Sequence, residues 1–255
     1  MTAQELLDEI FRKKLVYDAV GNEYKLESNI DREEGEFLVK LIKEYKPKNT
    51  IEIGCAYGIS SLFICSALEK TENPHHTIID AYQRGYNKNI GLSNLKKAGI
   101  NFFELMEGLS EIVLPQLLSE GKKYDFCFID GNHTFDHTLI DFFYLNRMID
   151  IGGIIVIDDA GMPGINKLIR YILNYPAYQQ IGNVKYNGSP KKEMFNWFIK
   201  KPLGLLSLLL PNKLKHQVFA SSVIASDKKL NINSSMIALQ KIKNDEREWY
   251  WFKEF

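Results

Sequence analysis

Four aspartates stand where short apolar runs come to an end. "YDFCFID" runs from Tyr124 to Asp130, and His133 follows three residues later. "GIIVIDD" runs from Gly153 and closes on Asp158 and Asp159, while "HTIID" closes on Asp80. If the runs are neighbouring strands, their tips lie about 5 Å apart, and acids gathered there repel one another. A hard divalent cation with oxygen ligands relieves that repulsion. Such an ion lowers the pKa of a hydroxyl held beside it, which makes a poor nucleophile a better one. His133 is placed to take the proton, with an unperturbed pKa near 6.5. The candidate metal ligands are therefore Asp130, Asp158 and Asp159, and the candidate catalytic residues are Asp130 and His133. Blander uses compete. Asp130 or Asn132 caps a following helix, or His133 and His137, four apart, hold zinc or simply face solvent. A non-haem iron site is a minor alternative.

A second pattern lies earlier, in "IEIGCAYGIS": Glu52, Gly54 and Gly58 as Glu-x-Gly-x-x-x-Gly, where a strand hands over to a helix. Gly54 permits a tight turn and close approach to a ligand, and Gly58 opens the helix, whose free amides face the crevice. Neither a Walker loop nor Gly-x-Gly-x-x-Gly is present. Glu52 repels a pyrophosphate, so the turn suits a ligand with positive charge. Asp80, at the next strand tip, can accept both hydroxyls of a ribose. In "EGLSEIVLPQL", Gly108 ends a strand and Ser110 starts a helix that its hydroxyl can cap.

The elements that must position these residues follow from periodicity. Runs at 50–54, 76–81, 102–108, 124–130 and 153–159 are apolar on both faces, as strands of a covered parallel sheet are. Helical patterns alternate with them, which predicts a doubly wound, Rossmann-like α/β fold. A capped amphipathic helix precedes the core, with Ser28 or Asp31 as its cap and Phe37, Leu38, Leu41 and Ile42 as its apolar stripe. "YQQIGNVKYNG" and "SSMIALQKI" read as two late strands.

These motifs resemble the class I S-adenosylmethionine-dependent methyltransferases. Within them, Gly-x-Ser with Pro-Gln-Leu and the acids at 130, 158 and 159 look like the cation-dependent catechol and caffeoyl-CoA O-methyltransferase branch. The resemblance covers roughly 28–241, the insert excluded. It implies a mostly parallel seven-stranded sheet with helices on both faces and S-adenosylmethionine as cofactor. Glu52, Gly54, Tyr57, Gly58, Ser60, Asp80, Gly108, Ser110 and Asp130 would hold that cofactor, and Asp130, Asp158 and Asp159 would hold Mg²⁺ or Mn²⁺. Asp159 stands where the best-known relatives carry Asn, and His133 where they commonly carry Lys. The expected reaction is methylation of a hydroxyl on a small molecule, sugar or glycan. Alternatives are a metal-independent methyltransferase of the same fold, a nicotinamide-dependent oxidoreductase, a hydroxylase-like metal enzyme and a non-catalytic binding protein.

Composition sets the bounds. The chain has 255 residues, with 32 basic and 32 acidic side chains. Such a balance gives no basic footprint for nucleic acid. Cys55, Cys65 and Cys127 lie in apolar surroundings and read as reduced thiols of a cytoplasmic protein. The expected organisation is an N-terminal helical segment or lid at 1–27, a cofactor-binding core at 28–188, a hydrophobic insert at 189–233, and a final strand and tail at 234–255. The insert, with Phe195, Trp197, Phe198 and "LGLLSLLL" among lysines, reads as a lid, a homodimer contact or a peripheral membrane contact.

Overall fold

The chain begins with helix α1 (Ala3–Lys13), held at its start by a capping box in which Thr2 and Glu5 satisfy each other's amides. The computed structural model describes residues 1–185, 202, 206, 210, 211, 214, 215, 218–227 and 229–255. After α1 the chain forms a small hairpin of β1 (Leu15–Tyr17) and β2 (Glu23–Lys25). Asp18 organises the hairpin turn, accepting from the amides of Val20 and Asn22 and from the Tyr24 hydroxyl. The expected helical segment at 1–27 is thus a helix plus a hairpin, and strands this short give no period-two signal. Helix α2 (Arg32–Tyr45) follows, with Asp31 rather than Ser28 as its cap. Leu38, Leu41 and Ile42 of its stripe are buried.

The core then alternates as the pattern requires. The order is β3 (Asn49–Ile53), α3 (Ile59–Leu68), β4 (His75–Ile79), α4 (Ile90–Lys97), β5 (Phe103–Met106), α5 (Ser110–Ser119), β6 (Tyr124–Ile129), α6 (Phe135–Met148) and β7 (Ile149–Ile157). Helix α7 (Pro163–Leu173) follows, a helix that the sequence reading left unassigned. Pro163 starts it, where the missing amide costs nothing. Strand β8 (Tyr178–Lys185), the short helix α8 (Ser221–Ile224) and β9 (Ser234–Lys241) complete the chain. The sheet has seven strands in the order β5-β4-β3-β6-β7-β9-β8. Its first five are parallel, and β9 runs antiparallel to both β7 and β8. Most of the segment predicted as an insert at 189–233, including Phe195, Trp197 and Phe198, lies outside the described residues. No helix among the described residues is long and apolar enough to cross a membrane.

Alternation along the strands divides the core into two layers. Phe126 and Phe128 of β6, with Ile154 and Val156 of β7, pack on one face. Cys127, Ile129, Ile155 and Ile157 pack on the other. Truncating either buried phenylalanine to alanine costs about 3–5 kcal/mol. All five parallel strands point their carboxyl ends at one edge, and there helices leave gaps between them.

Candidate active site

A cavity of about 870 Å³ opens at that edge. Six acids line it, namely Glu34, Asp80, Glu111, Asp130, Asp158 and Asp159. No lysine or arginine is among the described lining residues. Asp80 and the glycine turn form one half, and the tips of β6 and β7 the other.

The glycine turn is shaped by protein rather than by a ligand. Gly54 has φ +88°, and a Cβ there would stand 2.0 Å from the carbonyl oxygen of Asp130. Gly58 has φ +78°, and its Cβ would lie 2.8 Å from Gly91. The expected close approach is therefore to β6 and α4. Gly54, Tyr57 and Ser60 line the cavity, whereas Gly58 lies behind it. Asp80 staples the turn. Its Oδ2 accepts from the amides of Cys55 (3.0 Å) and Ala56 (2.9 Å) and from Gln83 Nε2 (3.0 Å). Its Oδ1 accepts from the amide of Tyr82 at 2.7 Å. Oδ2 is fully engaged, so Oδ1 alone has capacity left for a ribose hydroxyl.

Glu52 requires a correction. It was expected among the cofactor contacts, yet it is fully buried beneath the turn and does not line the cavity. It shares a strand face with Thr50, which directs it into the layer under α3. There Ser61 Oγ donates to it and His76 Nε2 lies 3.3 Å away, with His76 Nδ1 held by Thr50 at 2.8 Å.

At the β6 and β7 tips the predicted cluster assembles, in altered form. His133 Nδ1 is 3.2 Å from Asp159 Oδ2, and its Nε2 is 4.0 Å from Asp130 Oδ1. One ligand atom each from Asp130, His133 and Asp159 lies within 4.8 Å of the others. Asp158 lines the cavity beside this group without joining it. Asp159 has φ +52°, a left-handed geometry that aspartate tolerates and that re-aims its side chain. Burial pushes the Asp130 carboxyl well above the usual range, and the charges of Asp158, Glu52, Asp159 and Glu34 push it further. Burial, Glu34 and Asp159 do the same to Asp158. Such mutual repulsion, with two carboxylates and an imidazole in reach of one point, fits a divalent cation.

Glu34 was not predicted here. It stands in the first turn of α2, where it forms a capping box with Asp31. Nothing local revealed that this turn faces β7. Serine 110 also departs from expectation. The N-cap of α5 is Leu109, and no side chain caps that helix. Ser110 instead lies near Asp141 of α6, which is 1% exposed and accepts no well-aligned hydrogen bond at either oxygen. Burial raises the Asp141 carboxyl to about 6, while Ser110 and His137 pull it back down. His137, Asn132 and Glu111 line this end of the cavity, together with the predicted Gly108 and Ser110. His137 Nδ1 pairs with Thr134 Oγ1 at 2.8 Å. The spacing from His133 hinted at this residue, but α6 begins after His133, so the two are not on one helical face.

Residues 51–160 match the family described as a methyltransferase domain. Tapetum-specific methyltransferase 1 of Arabidopsis thaliana is 36% identical over 162 residues, covering 61% of this chain and 64% of that protein. Caffeoyl-CoA O-methyltransferase 2 of Petunia hybrida is 34% identical over 159 residues, 56% of this chain and 62% of that one. The chain thus spans a little under two thirds of these relatives. The structure of an O-methyltransferase from Bacillus cereus, in complex with SAH, aligns with a TM-score of 0.56 at 20% identity, over 70% of this chain and 81% of that one. At that identity the likeness is one of fold.

Proposed function

We propose that this chain, whose residues 51–160 match a methyltransferase-domain family and which is similar to caffeoyl-CoA O-methyltransferases, is an S-adenosylmethionine-dependent, divalent-metal-assisted O-methyltransferase acting on a small hydroxylated molecule. The observation that carries this reading is the acidic cavity. It joins a stapled glycine turn to a compact Asp130, His133 and Asp159 group.

Held against the glycine turn, S-adenosylmethionine would supply a sulfonium-bound methyl carbon for displacement by the acceptor oxygen, sulfur keeping the C–S electron pair and the acceptor hydroxyl's proton passing to His133 or to water. A divalent ion held by Asp130, Asp159 and His133 would ease loss of the acceptor hydroxyl's proton. The residues of the chain do the positioning. Asp80 Oδ1 is available to a ribose hydroxyl, and Ile59 and Ser60, in the first turn of α3, line the same cavity. The carboxylates favour a sulfonium and disfavour phosphate. Rigid strand ends fix the distance between the two halves, and alignment supplies much of the rate.

His133 has two uses in this site that exclude each other, metal ligand or proton acceptor. Its place inside the 4.8 Å group favours the first, and its 3.2 Å contact with Asp159 is compatible with the second. Calorimetric titration with Mn²⁺ and with S-adenosylhomocysteine tests the proposal. Asp130→Ala should abolish Mn²⁺ binding. His133→Ala should weaken it about 10- to 100-fold if the ring is a ligand, and leave it intact, with turnover lost, if it is the base. A wild-type protein that binds no S-adenosylhomocysteine would refute the methyltransferase reading. Full turnover in metal-free buffer would refute the metal.

A further inference from the structure

Beyond β9 the chain turns back toward the cavity. Strand β9 runs antiparallel to β7, so its last residue, Lys241, lies at the sheet edge opposite the carboxyl ends of the parallel strands. The amide of Ile242 is tied there to the Ala177 carbonyl at 2.8 Å. The tail then follows α7 in reverse. Arg247 donates to both oxygens of Asp245 at 2.6 Å, and its guanidinium lies 3.3 Å from the centre of the Tyr175 ring and 4.6 Å from that of Trp251. Asn174 Nδ2 donates to the Glu254 carbonyl at 3.1 Å. Phe255 packs on Tyr171 at 4.9 Å, with Lys167 Nζ 5.7 Å from its ring centre. Tyr175, Tyr171 and Lys167 are spaced by four, about one helical turn each, so the tail climbs about 12 Å toward the cavity edge. There Phe255 stacks on Phe135, ring centres 6.4 Å apart and planes 7° from parallel.

Phe135 opens α6 two residues after His133. The backbone between them is walled on other sides by main-chain contacts. A Cβ on Gly164, in the first turn of α7, would stand 3.1 Å from the Phe135 amide nitrogen and 3.6 Å from the His133 carbonyl oxygen. Thr138 Oγ1 lies 3.1 and 2.9 Å from the carbonyls of Asn132 and Thr134. The charge contacts of the His133 ring are with Asp159 and Asp130, the acids it would share with a cation, so its position is set by the backbone that carries it. We propose that Phe255 is a positioning residue for the metal site: stacked on Phe135, it holds the backbone that aims His133 at the point shared with Asp130 and Asp159. What supports a ligating side chain governs metal affinity nearly as much as the ligand does. This inference rests on the metal reading, with His133 as a ligand.

Hydrogen exchange of the metal-free full chain, read by mass spectrometry over peptides spanning 130–138, is paired with calorimetric titration of Mn²⁺ and of S-adenosylhomocysteine. Phe255→Ala should speed exchange across 130–138 and weaken Mn²⁺ binding about three- to ten-fold, the effect of losing one stacked pair. Affinity for S-adenosylhomocysteine and exchange over 51–60 should stay at wild-type values. Phe255→Tyr should restore both readouts. Trp249→Ala, which removes a 93% exposed ring from the same tail, should change neither. Unchanged exchange or unchanged Mn²⁺ affinity in Phe255→Ala overturns the inference. So does an equal loss of S-adenosylhomocysteine affinity, no recovery in Phe255→Tyr, or a loss of the same size in Trp249→Ala. Wild-type protein that binds no Mn²⁺, or His133→Ala that binds it as well as wild type, sinks the ligand reading instead, and the exchange data alone then decide whether Phe255 holds the loop.

Discussion

Asp80→Ala is the substitution that best separates holding a turn from holding a ligand. A carboxylate that only met a ribose would be dispensable in the ligand-free protein. Here it accepts from the amides of Cys55, Ala56 and Tyr82 and from the side chain of Gln83. Cys55 is buried, so its amide would lose its acceptor with little water to replace it. Gln83 is fully buried, and its Oε1 already lacks a partner. Hydrogen bonds to a charged group contribute about 1.5–3 kcal/mol each at most. Ala56 is half-buried and Tyr82 is exposed, so water can replace much of what their amides lose. A net loss of about 2–4 kcal/mol is expected, which lowers Tm by about 5–12 °C in a domain of this size. Differential scanning calorimetry without ligand measures it directly. Affinity for S-adenosylhomocysteine should fall as well, because the turn itself loosens. A ligand-free variant that melts with the wild type, and loses affinity alone, would refute the staple.

Two other substitutions probe the frame. Gly54→Ala sets a Cβ 2.0 Å from the Asp130 carbonyl at a φ of +88°, so the tips of β3 and β6 must part; Mn²⁺ and S-adenosylhomocysteine affinities should drop together, and loss of one without the other in paired titrations would contradict the shared tip. Asp141 has its carboxyl raised from 3.8 to about 6 by burial. A raised carboxyl pKa means the folded state favours the protonated form, so stability from this group is highest below the unfolded pKa, falls as pH rises from about 4 to 6, and is flat above. Asp141→Asn should therefore gain stability over the wild type as pH climbs through that window, by at most about 3 kcal/mol. Urea denaturation at pH 4 and pH 8 gives the difference, and equal gaps at both would rule out an ionised, unpaired Asp141.

Much of this arrangement can be read from residue order alone. Strands buried on both faces announce themselves as apolar runs, and an acid that ends such a run must sit at the sheet edge. Asp80, Asp130, Asp158 and Asp159 are legible for that reason. Glu52 misled because it lies one residue inside the strand end, where alternation sends it to the layer under α3 rather than to the edge. Counting parity from Thr50 would have exposed it. Glu34 was hidden for a different reason. Its capping role is local, but its facing of β7 depends on how α2 docks, which no window of sequence encodes. Gly58 was read as ligand-facing because a tight turn and a close helix contact require the same residue, and only the position of Gly91 separates them.

The two halves of the cavity are joined through one residue. Asp130 offers its carboxylate to the cluster with His133 and Asp159, while its carbonyl occupies the space that a side chain at 54 would need. Its amide donates to the carbonyl of Ile53 at 2.9 Å, and the amide of Gly54 donates to Ile79 at 2.9 Å. The tips of β4, β3 and β6 are thus linked by backbone bonds directly under the reacting groups. Phe126 and Phe128 anchor β6 from below. For the proposed methyl transfer, a loop would not hold donor and acceptor oxygen in line with the same tolerance, because displacement at carbon is sensitive to shifts of about 1 Å. With the glycine turn and the acids of the proposed metal site on adjacent parallel strands, sheet register would become reaction geometry. That requires glycine at 54 for steric reasons that no ligand needs to impose.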